Sequence, residues 1–308
     1  MSVIENALQK LRARAESSAR AAAVEQTAAR HPGKPVSTAS VKVSLVHEVS
    51  AVPEQPLKRL AVNVASLRAA GYLPTEEQRR RFADQYRRIK RPLIEKAFAP
   101  SATAEMRLIL VTSALPGDGK TFTTVNLALS MGRERDVAVL LVDADVPRAR
   151  VSHVFGVHNE PGLMDTLLDE SVDPESLIIR TDMQGQGLDV LPAGRPVDNA
   201  TELLASTRMI QVAARLASRN PKRIVLFDSS PLLGSSETDS LVRVPGQIVL
   251  VVRASATPRH AVLEAMTHID PKRFQGFILN QMPAVMGGGY YYGYSGYGSS
   301  GDDSAPAG

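Results

Sequence analysis

An apolar run that ends in a glycine-rich turn constrains this chain of 308 residues more than any other feature. Residues 108–124 read LILVTSALPGDGKTFTT, which is typical of a strand, a tight loop and the start of a helix. The stretch from Ala114 to Thr121 matches the phosphate-binding pattern G-x-x-x-x-G-K-[ST], except that Ala114 replaces the first glycine. Because the strand and the helix lie where this loop requires them, we predict an ATP site rather than a surface turn.

Each polar position of this loop has a specific chemistry. Gly117 and Gly119 allow backbone N–H groups to turn inward around a polyphosphate. Lys120 is expected to bridge the β- and γ-phosphates, and the Thr121 hydroxyl is expected to ligate Mg²⁺. ATP and Mg²⁺ are therefore the predicted cofactors.

The segment from residue 101 to residue 283 alternates apolar strands with helices, which predicts an α/β domain with a mostly parallel sheet covered by helices on both faces. Strands are predicted at about 107–113, 137–143, 188–192, 223–228, 247–253 and 275–280. Helices are predicted at about 119–132, 162–169, 199–218, 237–243 and 258–270, with Thr257 as the N-cap of the last. The fold class is that of a P-loop NTPase, in which ligands bind at the carboxyl ends of the strands.

Two of these strands end in carboxylates. The run VAVLLVDAD delivers Asp143 and Asp145, and the run RIVLFDSSP delivers Asp228. A strand-end aspartate on its own is often a helix cap, but three of them after a phosphate loop favour a metal and phosphate site. Since Mg²⁺ keeps several waters and needs few carboxylates, these three residues suffice.

The first hundred residues form the basic part of the chain. They carry 18 Lys and Arg against 9 Asp and Glu, whereas residues 101–308 carry 18 against 23. We predict an amphipathic helix at 1–30, a flexible linker at 31–56, and a basic helical segment at 57–100 with helices from Leu57 to about Ala70 and from Thr75 to Phe98. The basic face is either solvated or a contact for an acidic neighbour, and the few aromatic residues give little reason to expect nucleic acid.

The composition changes abruptly at residues 284–308. Gly, Ser and Tyr dominate, and a segment of this kind cannot bury a core, so we predict a disordered tail with exposed phenols. Five of the seven tyrosines in the chain lie there, namely Tyr290, Tyr291, Tyr292, Tyr294 and Tyr297. The alternative is a low-complexity tail without a chemical role.

The chain has no cysteine, so disulfides and thiolate metal sites are excluded. No apolar run approaches the roughly 18 to 20 residues of a membrane span, and no signal-peptide core is visible. These features predict a cytoplasmic protein.

The motifs SALPGDGKT (113–121), VLLVDADVPR (139–148) and IVLFDSSP (224–231), together with the tyrosine cluster, resemble those of bacterial tyrosine kinases. These are P-loop autokinases of capsule and exopolysaccharide systems. The chain is most similar to the exosortase-associated form, whose N-terminus is similar to MSVIENALQKLR. The resemblance covers about residues 57–297 and differs at Ala114, at Pro147 and at Ser229–Ser230, where the family usually has Thr-Pro.

The resemblance implies ATP-dependent autophosphorylation of the tail tyrosines, in trans within a ring-like homo-oligomer. It implies recruitment to the inner face of the plasma membrane by a polysaccharide co-polymerase, with control of polymerisation and export. The oligomer contact is similar to an acidic-x-x-Arg-x-x-Arg element, here Arg88 and Arg91 after Asp84 or Gln85. The nucleotide loop implied by the family comprises Pro116, Gly117, Asp118, Gly119, Lys120, Thr121 and Phe122.

In the resulting hypothesis, Lys120 and the loop N–H groups neutralise the transferred phosphoryl group, and Thr121, Asp145 and Asp228 hold the metal. Asp143 is expected to accept or orient the phenolic proton, because its strand tip is expected to lie nearest the loop. Two alternatives remain open: a partition-type switch ATPase, whose signature Lys is replaced here by Leu115, and a catalytically weak nucleotide-binding scaffold.

Overall fold

The computed structural model of this chain describes residues 57–183 and 186–282. The predicted N-terminal helix at 1–30, the linker at 31–56 and the tyrosine tail at 284–308 therefore lie outside the described residues. No helix within the described ranges is long and apolar enough to cross a membrane.

The described residues form a single sheet of eight strands in the order β1-β4-β5-β3-β6-β2-β7-β8. All neighbouring strands are parallel except β4 and β5, which are antiparallel. The predicted fold class, a mostly parallel sheet of the P-loop type, is confirmed. The strands are Lys58–Ala61 (β1), Leu108–Ser113 (β2), Ala138–Ala144 (β3), Ile179–Met183 (β4), Gln186–Leu191 (β5), Arg223–Ser229 (β6), Gln247–Arg253 (β7) and Phe274–Asn280 (β8).

Helices cover both faces of this sheet. They are Val64–Ala69 (α1), Arg79–Ala97 (α2), Lys120–Met131 (α3), Arg150–Phe155 (α4), Leu163–Leu168 (α5), Ala200–Ala205 (α6), Thr207–Ser218 (α7), Ser236–Leu241 (α8) and Arg259–Thr267 (α9). Two short 3₁₀ helices, Ala104–Arg107 and Pro174–Leu177, precede β2 and β4.

Alternate residues of the central strands feed two separate cores. Leu108 and Leu110 of β2 belong to one apolar cluster, and Ile109 and Val111 of the same strand belong to the other. Since successive side chains of a strand point to opposite faces, this division shows that both faces of the sheet are buried. The second cluster includes residues of α2 and α3, so α2 lies against the helix that follows the phosphate loop.

Two predicted helices need correction. The helix expected from Leu57 begins only at Val64, because Asn63 is its N-cap and accepts a hydrogen bond from the Ser66 N–H at 3.1 Å. The residues before it form β1, which pairs with β4. The helix expected over 199–218 is interrupted at Ser206, whose extended backbone ends α6 and whose side chain caps α7 through the Met209 N–H.

Candidate active site

The phosphate loop joins β2 to α3 and has the backbone that its glycines predict. Gly117 and Gly119 have φ values of 89° and 90°, in the left-handed region that residues with side chains rarely adopt. A Cβ atom at Gly119 would also collide with the side chain of Asn280. Lys120 is the first residue of α3, so the free N–H groups of the helix start face the same space as the loop.

The sheet order brings the predicted acids to one side of this loop. Strand β6 pairs with β2 on one side and with β3 on the other, and Asp228 lies opposite both Val111 and Asp143. The Asp228 carboxylate is fully buried and accepts two hydrogen bonds from α3, from the Thr121 hydroxyl at 2.7 Å and the Thr124 hydroxyl at 3.0 Å. Asp228 therefore contacts the phosphate-loop helix directly, through two of its hydroxyl groups.

Lys120 and Asp145 form a buried ion pair. The Lys120 Nζ lies 3.0 Å from Asp145 Oδ2, and the side-chain exposures are 7% and 0%. The other carboxylate oxygen of Asp145 accepts a hydrogen bond from the Ser230 hydroxyl at 2.6 Å. Because a buried charge is costly unless it is paired and hydrogen-bonded, each partner requires the other in this arrangement.

Asp143 is held differently from the other two acids. Its Oδ2 accepts hydrogen bonds from the Ser152 N–H and the Ser152 hydroxyl, both at 2.7 Å, and its Oδ1 accepts from the Asp145 N–H at 3.3 Å. The expectation that Asp143 lies on the strand tip nearest the loop is wrong, because β6 separates β3 from β2. That position belongs to Asp228.

Burial and neighbouring negative charge raise the pKa of two of these acids. The pKa of Asp143 rises to about 7, first through burial and then through the charge of Asp228, against the opposing hydrogen bonds from Ser152. The pKa of Asp228 rises to about 6, again chiefly through burial, while the charge of Lys120 opposes the shift. A cation bound beside these two buried carboxyl groups would lower their pKa values and favour their ionised forms, so the arrangement is typical of a cation-binding site.

The residues present fit a magnesium ion held together with nucleotide phosphates. Among the residues that the structure describes, no three His, Cys, Asp or Glu side chains gather closely enough to form a metal cage by themselves. Mg²⁺ does not require one, since it binds one or two carboxylates and completes its shell with waters and phosphate oxygens. The Thr121 hydroxyl and the Asp228 carboxylate, 2.7 Å apart, provide the oxygen ligands for such a site.

The remaining predicted loop residues face in different directions. Pro116 is exposed, whereas the side chain of Asp118 is buried with only 3% of the residue accessible. Phe122 lies on the side of α3 that faces α2, where its ring meets Phe82 edge to face at 5.9 Å. Phe122 therefore packs against the basic helical segment, and it is the loop and helix start before it that face the nucleotide space.

The predicted oligomer contact lies on the exposed face of α2. Arg91 is ion-paired with Glu95 one turn later at 2.9 Å, and Arg88 is exposed on the same helix. The five tail tyrosines are outside the described residues, and the two remaining tyrosines are not in comparable positions. Tyr86 is buried in α2, and Tyr72 lies in the turn after α1, where its carbonyl accepts a hydrogen bond from Asn126.

Sequence reasoning missed five residues that hold the site together. Four hydroxyl side chains and one amide make the contacts in question: Thr124, Ser152, Ser230, Thr257 and Asn280. Ser230 has a sequence signal, since it follows Asp228 where the resembling family usually has a proline. Thr257 was expected to cap α9, but Pro258 occupies that position and the Thr257 hydroxyl turns to Asp118 instead.

Comparison with known proteins identifies the family of this chain. The family model described as AAA domain matches residues 106–269, more than half of the chain. The tyrosine-protein kinase YwqD of Bacillus subtilis is 32% identical over 183 residues, which cover 59% of this chain and 73% of YwqD. The chain belongs to the bacterial tyrosine kinase family. The names of its relatives support protein-tyrosine kinase activity.

Solved structures of two kinase domains share this fold. The kinase domain of the Escherichia coli tyrosine kinase ETK is 28% identical, covers 69% of this chain and 80% of its own, and superposes with a TM-score of 0.58. The VpsO kinase domain is 25% identical, covers 68% of this chain and all of its own, and has a TM-score of 0.54. The whole tyrosine-protein kinase etk of Escherichia coli is 31% identical to this chain over 178 residues. These residues cover 57% of this chain but only 24% of the length of etk.

Proposed function

We propose that this kinase transfers the γ-phosphoryl group of ATP to the tyrosines of its own C-terminal tail, acting in trans between subunits. The observation that carries the proposal is the buried cluster beside the phosphate loop, in which Lys120 contacts Asp145 and Thr121 contacts Asp228. A cationic side chain, loop N–H groups and two carboxylates around one space are the requirements of phosphoryl transfer.

Positioning and charge stabilisation supply most of the catalysis in this proposal. Lys120 and the loop N–H groups stabilise the charge that develops on the transferred phosphoryl group. Thr121, Asp145 and Asp228 would hold a magnesium ion, which would supply Lewis-acid stabilisation of the phosphate oxygens. One oxygen of Asp143 accepts from Ser152 and the other accepts from the Asp145 N–H. Asp143 therefore orients the phenol rather than accepting its proton, and it also holds the strand tip that carries Asp145.

The tail is the favoured acceptor because the other tyrosines are poorly placed. Burial raises the pKa of the Tyr86 phenol, and only 7% of that residue is accessible. Three residues separate the tail from β8, whose last residue, Asn280, donates a hydrogen bond to the Asp118 carbonyl of the phosphate loop. Five phenols on a Gly-rich segment joined to the chain this close to the site would meet the active site of a neighbouring subunit at high effective concentration within an oligomer.

The wider role is proposed from the family resemblance. The kinase acts as a ring-like homo-oligomer, with Arg88 and Arg91 on the contact face, and is recruited from the cytoplasm to a membrane co-polymerase of exopolysaccharide. Phosphorylation adds about −1.5 to −2 charges per tyrosine, so a heavily modified tail is repelled by acidic rims and favours release of the subunits. No nucleic acid takes part.

A switch ATPase is the second candidate, and one contact speaks against it. The loop position at which such ATPases carry a signature Lys is Leu115 here, and its side chain packs against the apolar core. It cannot reach a nucleotide in a partner subunit.

A mixing experiment tests whether phosphotransfer occurs and whether it takes place between subunits. The first variant, Lys120→Met, keeps the tail but lacks phosphotransfer; the second has all five tail tyrosines changed to Phe and keeps the site. After incubation with Mg²⁺ and γ-labelled ATP, mass spectrometry should find label on the tail of the first variant only when the second is present.

Each remaining outcome has one meaning. Label on the wild-type tail, with none in the mixture, would show transfer within one subunit and defeat the trans proposal. ATP hydrolysis without phosphotyrosine in the wild type would favour the switch ATPase, and nucleotide binding without hydrolysis would favour the scaffold.

A further inference from the structure

The phosphate loop contains a buried carboxylate, that of Asp118. Asp118 stands between Gly117 and Gly119, where a negative side chain that faced the nucleotide would repel its phosphates. Its side chain instead turns into the protein. Asp118 Oδ2 accepts a hydrogen bond from the Leu115 N–H at 3.2 Å, and Oδ1 accepts one from the Thr257 hydroxyl at 2.6 Å.

Two elements from the far end of the chain hold this residue. Thr257 belongs to the turn between β7 and α9, and its hydroxyl also accepts a hydrogen bond from the Arg253 N–H at 3.0 Å. Asn280, the last residue of β8, donates from Nδ2 to the Asp118 carbonyl at 2.9 Å. The absence of a side chain at Gly119 leaves the space that Asn280 occupies. The loop is thus anchored to residues 139 and 162 positions further along the chain.

We propose that Asp118 is a positioning residue of the phosphate loop and that Thr257 and Asn280 are its anchors. The inference rests on the proposed ATP site. The Leu115 N–H bond closes the loop on itself, and the Thr257 bond keeps the carboxylate away from the phosphates. Without the Thr257 hydroxyl, Asp118 is left buried with one fewer partner, and rotation toward the exposed side of the loop at Pro116 and Gly117 becomes favourable.

Thr257→Val is the central test, because it replaces the hydroxyl by a methyl group of similar size. We expect the dissociation constant for MgATP and the KM for ATP to rise about ten-fold, as is typical for the loss of a hydrogen bond to a charged group, with a smaller change in kcat. Thr257→Ser restores the hydroxyl and should bring the affinity back to within about two-fold of wild type. A purely structural role would not produce this rescue together with a KM-selective change.

One further full-length variant controls for a general loss of stability, and another tests Asp118 directly. Thr181→Val removes a single buried hydroxyl bond, to the Leu188 carbonyl at 2.8 Å, on the opposite side of the sheet order from β7. This control should lower the thermal midpoint as much as Thr257→Val does and leave the affinity for MgATP unchanged. Asp118→Asn keeps an acceptor for Thr257 but presents an amide N–H to Leu115, so it should also weaken MgATP binding.

The possible failures are distinguishable. If the wild type does not bind MgATP, the proposed function fails. If the wild type binds it and Thr257→Val binds equally well, or if Thr257→Ser gives no rescue, the positioning inference is overturned. Equal loss of affinity in Thr181→Val would likewise reassign the effect to overall stability.

Discussion

Replacing Asp228 by Asn should stabilise the ligand-free protein at neutral pH while removing phosphotransfer. Burial raises the pKa of Asp228 from the ordinary value of 3.8 to about 6. Each pKa unit corresponds to about 1.4 kcal/mol, so ionisation of this buried group costs about 3 kcal/mol of folding free energy. Asparagine has nearly the same shape as the neutral acid: one of the hydroxyls of Thr121 and Thr124 can keep donating to its carbonyl oxygen, and the other can rotate to accept from its NH₂ group.

The sign of the pH dependence follows from the raised pKa. The folded state holds this proton more tightly than the unfolded state, so the stability that the protonated Asp228 contributes is complete below pH 3.8 and is lost as the pH rises through about 6. The amide of the asparagine variant does not ionise, so its contribution to stability does not change over this pH range. The free energy of unfolding of Asp228→Asn should therefore match that of the wild type near pH 4 and exceed it by about 3 kcal/mol at pH 8.

Urea denaturation of both proteins at pH 4 and pH 8 measures this difference. Asp198→Asn, at an exposed position, is the matched control and should change the stability by less than about 0.5 kcal/mol at either pH. Addition of MgATP should raise the thermal midpoint of the wild type and not that of Asp228→Asn, since the variant lacks the carboxylate that we propose holds the metal. A variant that is less stable than the wild type at pH 8 would refute the reasoning from burial.

Three other predictions concern the ion pair, α2 and the N-terminus. Lys120→Met should abolish phosphotransfer and also cost about 3 kcal/mol of stability, since it leaves Asp145 buried without its cation; the double variant with Asp145→Asn should recover most of that stability in urea denaturation. Changing Arg88 and Arg91 to Glu should disrupt the oligomer, and an unchanged elution volume in gel filtration would count against this contact. Deleting residues 1–30 should leave phosphotransfer in solution intact but reduce co-sedimentation with membranes that contain the co-polymerase.

The central strands were predictable because they are buried on both faces. Four of the eight strands, β2, β3, β6 and β7, appear in the sequence as near-continuous apolar runs, are buried along almost their whole length, and predict the fold class. The edge strand β8 was predicted from its apolar run although most of its residues are only half-buried. Strand β4 was missed, because only Ile179, Thr181 and Met183 are buried and polar residues alternate with them. Strand β1 has no apolar run, since the exposed Lys58 and Arg59 make up half of it.

The residue types of the site were predictable from the sequence, but the contacts between those residues were not. The loop pattern and the strand-end acids follow from local sequence, because each is defined by a few adjacent residues. The acid that neighbours the loop depends on strand order, and only the structure shows that β6 lies between β2 and β3. The contact between Thr257 and Asp118 joins residues 139 positions apart, and a Thr before a Pro has a local interpretation as a helix cap.

The packing of α2 relates the proposed oligomer contact to the nucleotide site. Its exposed face carries Arg88 and Arg91, and its buried face places Phe82 against Phe122, two residues after Lys120 in α3. A single helix diameter of about 10 Å thus separates a neighbouring subunit on this face from the start of the phosphate-loop helix. Since packed interiors transmit displacement rather than absorb it, a neighbour that shifts α2 also shifts the helix that carries Lys120. If the proposed oligomer forms through this face, the contact between Phe82 and Phe122 would couple assembly to the position of the phosphate-loop helix.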